Sequence, residues 1–83
     1  MEENKIISAT VRVCNEYIGR SAEARIEENE VVLWEGEIEP TYGDADSYAP
    51  QIEGKLQELG YNPGRLELIT MVDDFGGISG WIR

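Results

Sequence analysis

The feature that most constrains the fold is a strict alternation of apolar and polar residues in the first third of the chain. Successive side chains of a strand point to opposite faces, so a period of two predicts strands that are buried on one face. Gly19 lies between the two alternating stretches and can adopt the positive φ that a hairpin connection needs. We therefore predict a first hairpin. Its core-facing residues are Ile7, Ala9, Val11 and Val13 on one strand and Ala22, Ala24 and Ile26 on the next.

A third strand is predicted from about residue 31 to residue 39, after a polar turn in which Asn29 can be left-handed. Pro40 ends this strand because proline cannot donate a hydrogen bond to the sheet. The natural core side carries Trp34 and Ile38. The opposite face is expected to carry Val31, Leu33, Glu35, Glu37 and Glu39.

A helix is predicted next, with Asp46 or Ser47 as the N-cap and Pro50 in or just before the first turn. Gly60 is a suitable residue for the position that follows the helix. The helix would bury an apolar stripe, because its large apolar residues recur every three or four positions. The stripe consists of Tyr48, Ile52, Leu56 and Leu59.

The last part of the chain predicts two more strands. Residues 65–72 are almost continuously apolar, which is typical of an interior strand that is covered on both faces. Residues 78–83, with Trp81, are expected to form a short final strand. The sequence therefore predicts a single α+β domain over residues 1–83. It would be an antiparallel β-sheet in the order β-β-β-α-β-β with one helix packed across one face.

Composition excludes several classes of site. The 83 residues contain one cysteine, Cys14, and no histidine, so an internal disulfide and an ordinary structural zinc site are both excluded. The formal net charge is −10, which opposes direct binding to nucleic acid or to an anionic membrane. The first residues lack the basic start and apolar stretch of a secretory signal, and no apolar run is long enough to span a membrane. We expect a cytoplasmic protein.

The acidic residues are concentrated in one segment, residues 26–54, which contains no lysine or arginine. Within it, alternate strand positions would set glutamate side chains about 6.5–7 Å apart, as phosphates are spaced along a nucleic-acid strand. Tyr42 is the preferred aromatic anchor. The predicted partner is a protein with a basic surface. The alternative is a solvated face that only prevents aggregation. The predicted binding residues are Glu35, Glu37, Glu39, Tyr42, Asp44 and Asp46.

Catalytic and metal-binding motifs are incomplete. Asp74-Phe75-Gly76 matches a kinase triplet, but the chain is too short for a kinase and lacks its other motifs. A calcium loop that started at Asp44 would require a bidentate acid where Lys55 stands. Cys14 has no histidine to act as its base. We therefore expect no enzyme, no metal and no cofactor.

In size, acidity and strand-rich mixed fold, the chain is similar to small inhibitor proteins of mobile elements, such as anti-CRISPR proteins and DNA-mimicking glycosylase inhibitors. This likeness implies a phage-like inhibitor that occludes a basic nucleic-acid-binding surface on its target. Two alternatives remain open. One is a homodimeric subunit or adaptor that associates through an apolar sheet face with Ile69, Met71 and Trp81. The other is a small-ligand module that uses the glycine-rich turn at Gly76 and Gly77.

Overall fold

The computed structural model of the chain describes residues 6–16 and 19–82, and these residues form five strands and one α-helix. The α+β class predicted from the sequence is confirmed. The order of elements differs in detail because two short 3₁₀ helices, Ala45–Tyr48 and Pro63–Arg65, flank the α-helix. The elements are β1 (Ile7–Glu16), β2 (Gly19–Glu28), β3 (Val31–Ile38), α1 (Ala49–Glu58), β4 (Leu66–Asp73) and β5 (Ile78–Ile82).

The strands form one mixed sheet in the order β3-β2-β1-β4-β5. Three neighbouring pairs are antiparallel, but β1 and β4 are parallel, so the prediction of a purely antiparallel sheet is wrong. Two hairpins return β3 to the direction of β1, and the helical crossover returns β4 to the direction of β3. Once β4 lies beside β1, that pair must be parallel.

The core lies between α1 and one face of the sheet. We refer to that face as the helix face and to the opposite one as the open face. The apolar residues predicted to point inward from β1 and β2 are all buried, which confirms the first hairpin. The described tips of the strands support that hairpin, because Glu16 pairs with Gly19. Residues 17 and 18, which connect them, lie outside the described residues.

The β2–β3 hairpin contains an irregularity that the sequence pattern did not indicate. Its turn is as predicted, since Asn29 has a φ of 53°. However, Ile26 pairs with Trp34 whereas Glu27 pairs with Val32, so Leu33 is an extra residue that forms a bulge. Leu33 packs against the core. The prediction that Leu33 shares a face with the β3 glutamates is therefore wrong.

The bulge also changes the position of Val31. The register sets Val31 opposite Glu28 and places Val32, beside Glu27, on the open face. The prediction that Val31 shares a face with the β3 glutamates is therefore also wrong, because the extra residue reverses the face to which the side chains before the bulge point.

The helix buries most of its predicted stripe. Tyr48, Ile52 and Leu56 are fully buried, while Leu59 is 37% exposed at the C-terminal end. The N-cap prediction is wrong, because Asp44 precedes the first 3₁₀ helix and α1 begins only at Ala49. No helix in the described part of the chain is both long enough and apolar enough to cross a membrane.

Candidate protein-binding surface

Two of the predicted binding residues, Glu35 and Glu37, lie on the open face of β3 and are exposed. Glu35 is opposite Arg25 of β2, whose guanidinium is 3.3 Å from the Glu35 carboxylate and 3.5 Å from that of Glu27. A cation from outside the acidic segment therefore offsets the Glu35 charge. Such an exposed ion pair contributes little to stability, but it reduces the charge that Glu35 offers to a partner.

Glu37 has the opposite environment. The register places it directly opposite Glu23 of β2, and both side chains are exposed. Neither carboxylate forms an ion pair with any other described residue. Directly opposite residues of an antiparallel pair have Cβ atoms about 4.5–5.5 Å apart, and like charges at that separation are destabilising. Arg12 of β1 lies opposite Glu23 on the other side of β2, but it forms no ion pair with Glu23.

Glu39 lies one residue beyond the end of β3. Its backbone is fixed by Gln51 of α1, which accepts a hydrogen bond from the Glu39 N–H at 3.0 Å and donates one to the Glu39 carbonyl at 2.8 Å. Both backbone groups are thereby satisfied, and the Glu39 side chain remains exposed. The amide of Gln51 thus joins the end of the acidic strand to the first turns of the helix.

Tyr42 lies in the loop that follows, with 92% of its side chain exposed. The guanidinium of Arg20 lies 4.7 Å from the centroid of its ring. This contact orients the ring from one side, since a cation over an aromatic face is attracted by the ring quadrupole. Asp44 follows on the same loop and Asp46 lies in the 3₁₀ helix Ala45–Tyr48, and both are also exposed. Within the described residues neither aspartate has an ion-pair partner.

The loop is held in place by hydrogen bonds at both of its ends. The Thr41 N–H donates to the buried Tyr48 hydroxyl at 2.9 Å, and the hydroxyl groups of Thr41 and Ser47 bond to each other. At the far end, the Ala45 N–H donates to the Ser79 hydroxyl of β5 at 3.2 Å. Tyr42 and the two aspartates are therefore displayed from a segment that is anchored at both ends.

Five carboxylates that form no ion pair with another described residue, and one aromatic ring, thus lie on the last part of β3, at the facing position of β2, on the loop and in the first 3₁₀ helix. We refer to this set as the acidic surface. Five of the six predicted site residues belong to it, and Glu35 does not because Arg25 neutralises it. Glu23 was missed, since only the pairing register brings β2 next to Glu37. The members are Glu23, Glu37, Glu39, Tyr42, Asp44 and Asp46.

The open face also has a shallow depression of about 280 Å³ over β1, β2 and β3. Its charged lining mixes two arginines, Arg12 and Arg25, with three glutamates, and Thr10 is also at its edge. It contains no nucleophile beside a base, so the groups present do not form a catalytic arrangement. In residues 6–16 and 19–82, no cluster of three or more potential ligands could hold a metal ion.

The backbone N–H groups of the glycine-rich turn already donate hydrogen bonds to Asp73. The Asp73 carboxylate accepts hydrogen bonds from the N–H groups of Phe75 at 3.0 Å and Gly77 at 2.7 Å, and the Asp73 carbonyl accepts one from Gly76 at 3.2 Å. These are the donors that a phosphate would use in a glycine-rich cradle. A carboxylate already occupies that position, which counts against the small-ligand alternative.

The residues expected to form an apolar dimer face do not lie on an uncovered face of the sheet. Ile69 and Met71 are buried on the helix face, and Trp81 packs against the same core. This part of the prediction is wrong. The cause is a register shift in β4, between its pairs with Ile7 and Ser8, that makes Glu67 an extra residue and groups Leu66 with Ile69.

Comparison of the chain with protein-family models, with curated proteins and with solved structures found no match. The functional conclusion therefore depends on the geometry and charge of the surfaces described above.

Proposed function

We propose that this chain is a non-enzymatic protein-binding module whose acidic surface binds a basic surface on a target protein. The observation that carries the proposal is the pair of facing glutamates, Glu23 and Glu37, neither of which forms an ion pair with another described residue. We further propose that the target is a nucleic-acid-binding protein, which the module inhibits by occluding its basic groove.

The facing carboxylates support binding because their repulsion is relieved when a cation arrives. Like charges placed directly opposite in a sheet cost a few tenths of a kcal/mol to about 1 kcal/mol. A lysine or arginine from a partner would interact with both carboxylates at once. A solvated face that served only to prevent aggregation needs charge, but it gains nothing from setting two anions against each other on neighbouring strands.

Tyr42 supplies the apolar part of the proposed contact. Aromatic residues are common anchors of interfaces because they bury a large area with few rotatable bonds. The hydrogen bonds of Thr41 to Tyr48 and of Ala45 to Ser79 hold its loop before any partner arrives. Binding would therefore lose little conformational entropy in ordering this loop.

The net charge of −10 supports the same proposal at longer range. Complementary charge accelerates the encounter of two proteins and weakens as salt is added. Carboxylates at alternate positions along β3 and beyond it would lie at spacings near those of successive phosphates. A groove that binds nucleic acid would then accept the acidic surface in its place, and free nucleic acid would compete with the module for the target.

Affinity capture from the native host tests the proposal. The wild-type chain is compared with a double variant, Glu23→Gln and Glu37→Gln, and with a control that removes the same charge elsewhere, Glu30→Gln and Glu58→Gln. Both control residues are exposed and lie outside the acidic surface. The proposal expects a basic protein retained by the wild type and the control and depleted with the double variant. Equal retention by all three would refute it.

A further inference from the structure

Phe75 is a large apolar residue in the turn that joins β4 to β5, and 81% of its surface is exposed. Turns favour glycine, asparagine, aspartate and serine, because each of these meets a conformational or hydrogen-bonding need of the backbone. Phenylalanine meets none of these needs, and a ring that is exposed to this extent adds little to the core. A single exposed apolar residue is ordinary on a protein surface, so its surroundings decide whether it has a role.

The turn that carries Phe75 is held by two carboxylates. That of Asp73 accepts hydrogen bonds from the N–H groups of Phe75 at 3.0 Å and Gly77 at 2.7 Å. That of Asp74 accepts one from the backbone N–H of Asn15 at 3.0 Å and one from the Asn15 side-chain amide at 3.3 Å. The turn is thus closed on itself and tied to the end of β1. Burying Phe75 against a partner would therefore cost little conformational entropy in the backbone.

Phe75 lies at the same end of the sheet as the acidic surface. β1, β3 and β4 all run toward this end, because β2 is antiparallel to β1 and β3 whereas β4 is parallel to β1. Contacts connect the two regions. Asn15, which bonds to Asp74, pairs with Arg20 of β2, and the Arg20 guanidinium lies over the ring of Tyr42. Two strand spacings of about 4.8 Å separate β2 from β4, so these contacts span about 10 Å.

The surroundings of Phe75 are acidic. The Ala45 N–H donates to the Ser79 hydroxyl at 3.2 Å, so the acidic loop that follows β3 adjoins the strand that leaves the Phe75 turn. Asp73 and Asp74 add two carboxylates that form no ion pair with another described residue. Neither β4 nor β5 contains a lysine or an arginine. A protein that buries this ring is therefore expected to carry positive charge beside its apolar contact.

We propose that Phe75 is a second apolar anchor of the surface that binds the basic target, and that its ring enters an apolar pocket at the border of the target's basic groove. This inference rests on the proposed function of the acidic surface. Grooves that bind single-stranded nucleic acid combine positive charge with aromatic side chains on which bases stack, so a target of this class offers both kinds of contact. Two anchors, Tyr42 and Phe75, would also distinguish that target from proteins that are only basic.

Photo-cross-linking tests the contact. Phe75 is replaced in the full chain by the photoreactive analogue p-benzoylphenylalanine, and the protein is irradiated in an extract of the native host. Ile82 is replaced in the matched control, since it is 79% exposed and lies at the end of β5 that is remote from the turn. Position 75 is expected to cross-link to the basic protein that the variant Glu23→Gln with Glu37→Gln fails to retain. Cross-linking no stronger than at position 82, or to a protein that this variant retains fully, would overturn the inference.

Affinity for the purified cross-linked protein tests the energetic role. Phe75→Ser is expected to weaken binding roughly tenfold or more without changing its salt dependence, because an apolar contact is lost and no charge is removed. Ile82→Ser should bind like the wild type, and both variants should unfold at the wild-type temperature. Unchanged affinity of Phe75→Ser, or an equal loss in Ile82→Ser, overturns the inference.

The two proposals fail in different ways in this assay. If Phe75→Ser binds normally and the variant Glu23→Gln with Glu37→Gln binds weakly, the acidic surface stands and the second anchor is refuted. If Phe75→Ser binds weakly and the charge variant binds normally, the apolar contact stands and the acidic surface is refuted.

Discussion

Glu37 of β3 faces Glu23 of β2 on the open face, and neither carboxylate forms an ion pair with another described residue, although Arg12 of β1 is opposite Glu23 on its other side. The next pair along the same two strands, Glu35 with Arg25, is a salt bridge of 3.3 Å. Two neighbouring positions of one hairpin thus have opposite electrostatics. The difference makes the Glu23–Glu37 pair a position where added positive charge would be favourable.

Neutralising one of the facing glutamates should stabilise the isolated protein. We expect Glu37→Gln to raise the free energy of unfolding by a few tenths of a kcal/mol to about 1 kcal/mol, because a like-charge pair is removed. Urea denaturation at low salt measures this, and the gain should shrink as salt is added. Glu30→Gln, at the far turn of the hairpin, is the control. A gain equal to or smaller than that of the control would show that the pair is not repulsive.

The hydroxyl of Tyr48 should determine the order of the loop that carries Tyr42. It is fully buried and accepts the Thr41 N–H at 2.9 Å, so Tyr48→Phe leaves a backbone donor without its partner. We expect a loss of about 1–2 kcal/mol in stability. Amide exchange should also accelerate in residues 41–46. Tyr42→Phe serves as the control, since the Tyr42 side chain is 92% exposed and its loss should leave stability nearly unchanged. Unchanged exchange in Tyr48→Phe would show that other contacts hold the loop.

Gly36 should be required for the packing of Trp34. A Cβ at position 36 would lie 2.7 Å from the indole ring, and the ring would have to leave its place beneath Lys55, whose ammonium is 4.6 Å from the ring centroid. We expect Gly36→Ala to cost about 1–3 kcal/mol and to alter the near-ultraviolet circular dichroism.

Gly54 in α1 is the matched control for this substitution. No atom lies within 4 Å of a Cβ built there, so Gly54→Ala should stabilise the helix by roughly 0.5–1 kcal/mol. Equal effects of the two substitutions would contradict the close packing of Trp34 on Gly36.

The local patterns of the sequence predicted the elements well, because alternation, turn residues and helical spacing are local properties. The buried faces of β1 and β2, the left-handed Asn29 and the buried stripe from Tyr48 to Leu56 all follow from them. The direction of β4 is a property of the whole sheet. It depends on which strand β4 pairs with, and nothing in residues 66–73 encodes the choice of β1 as the neighbour.

The bulges were the main cause of errors about the surfaces. One extra residue at Leu33 and one at Glu67 each exchange the faces of a strand, and neither is marked by a glycine or proline. The predicted site could therefore be located only in part. Tyr42, Asp44 and Asp46 are exposed, as the sequence predicted. Glu23 could not be predicted, because only the strand register places it opposite Glu37. Glu35 does not belong to the acidic surface, because it forms a salt bridge with Arg25.

The most direct test of the account is the salt dependence of affinity for the captured target. For the wild type, the logarithm of the association constant should fall steeply and linearly with the logarithm of the salt concentration. The variant Glu23→Gln with Glu37→Gln should bind more weakly and with a slope reduced by about two, one for each lost charge. The control Glu30→Gln with Glu58→Gln should keep the wild-type slope. A wild-type affinity that does not change with salt, or a slope that is unaffected in the Glu23 and Glu37 variant, would contradict binding through the acidic surface.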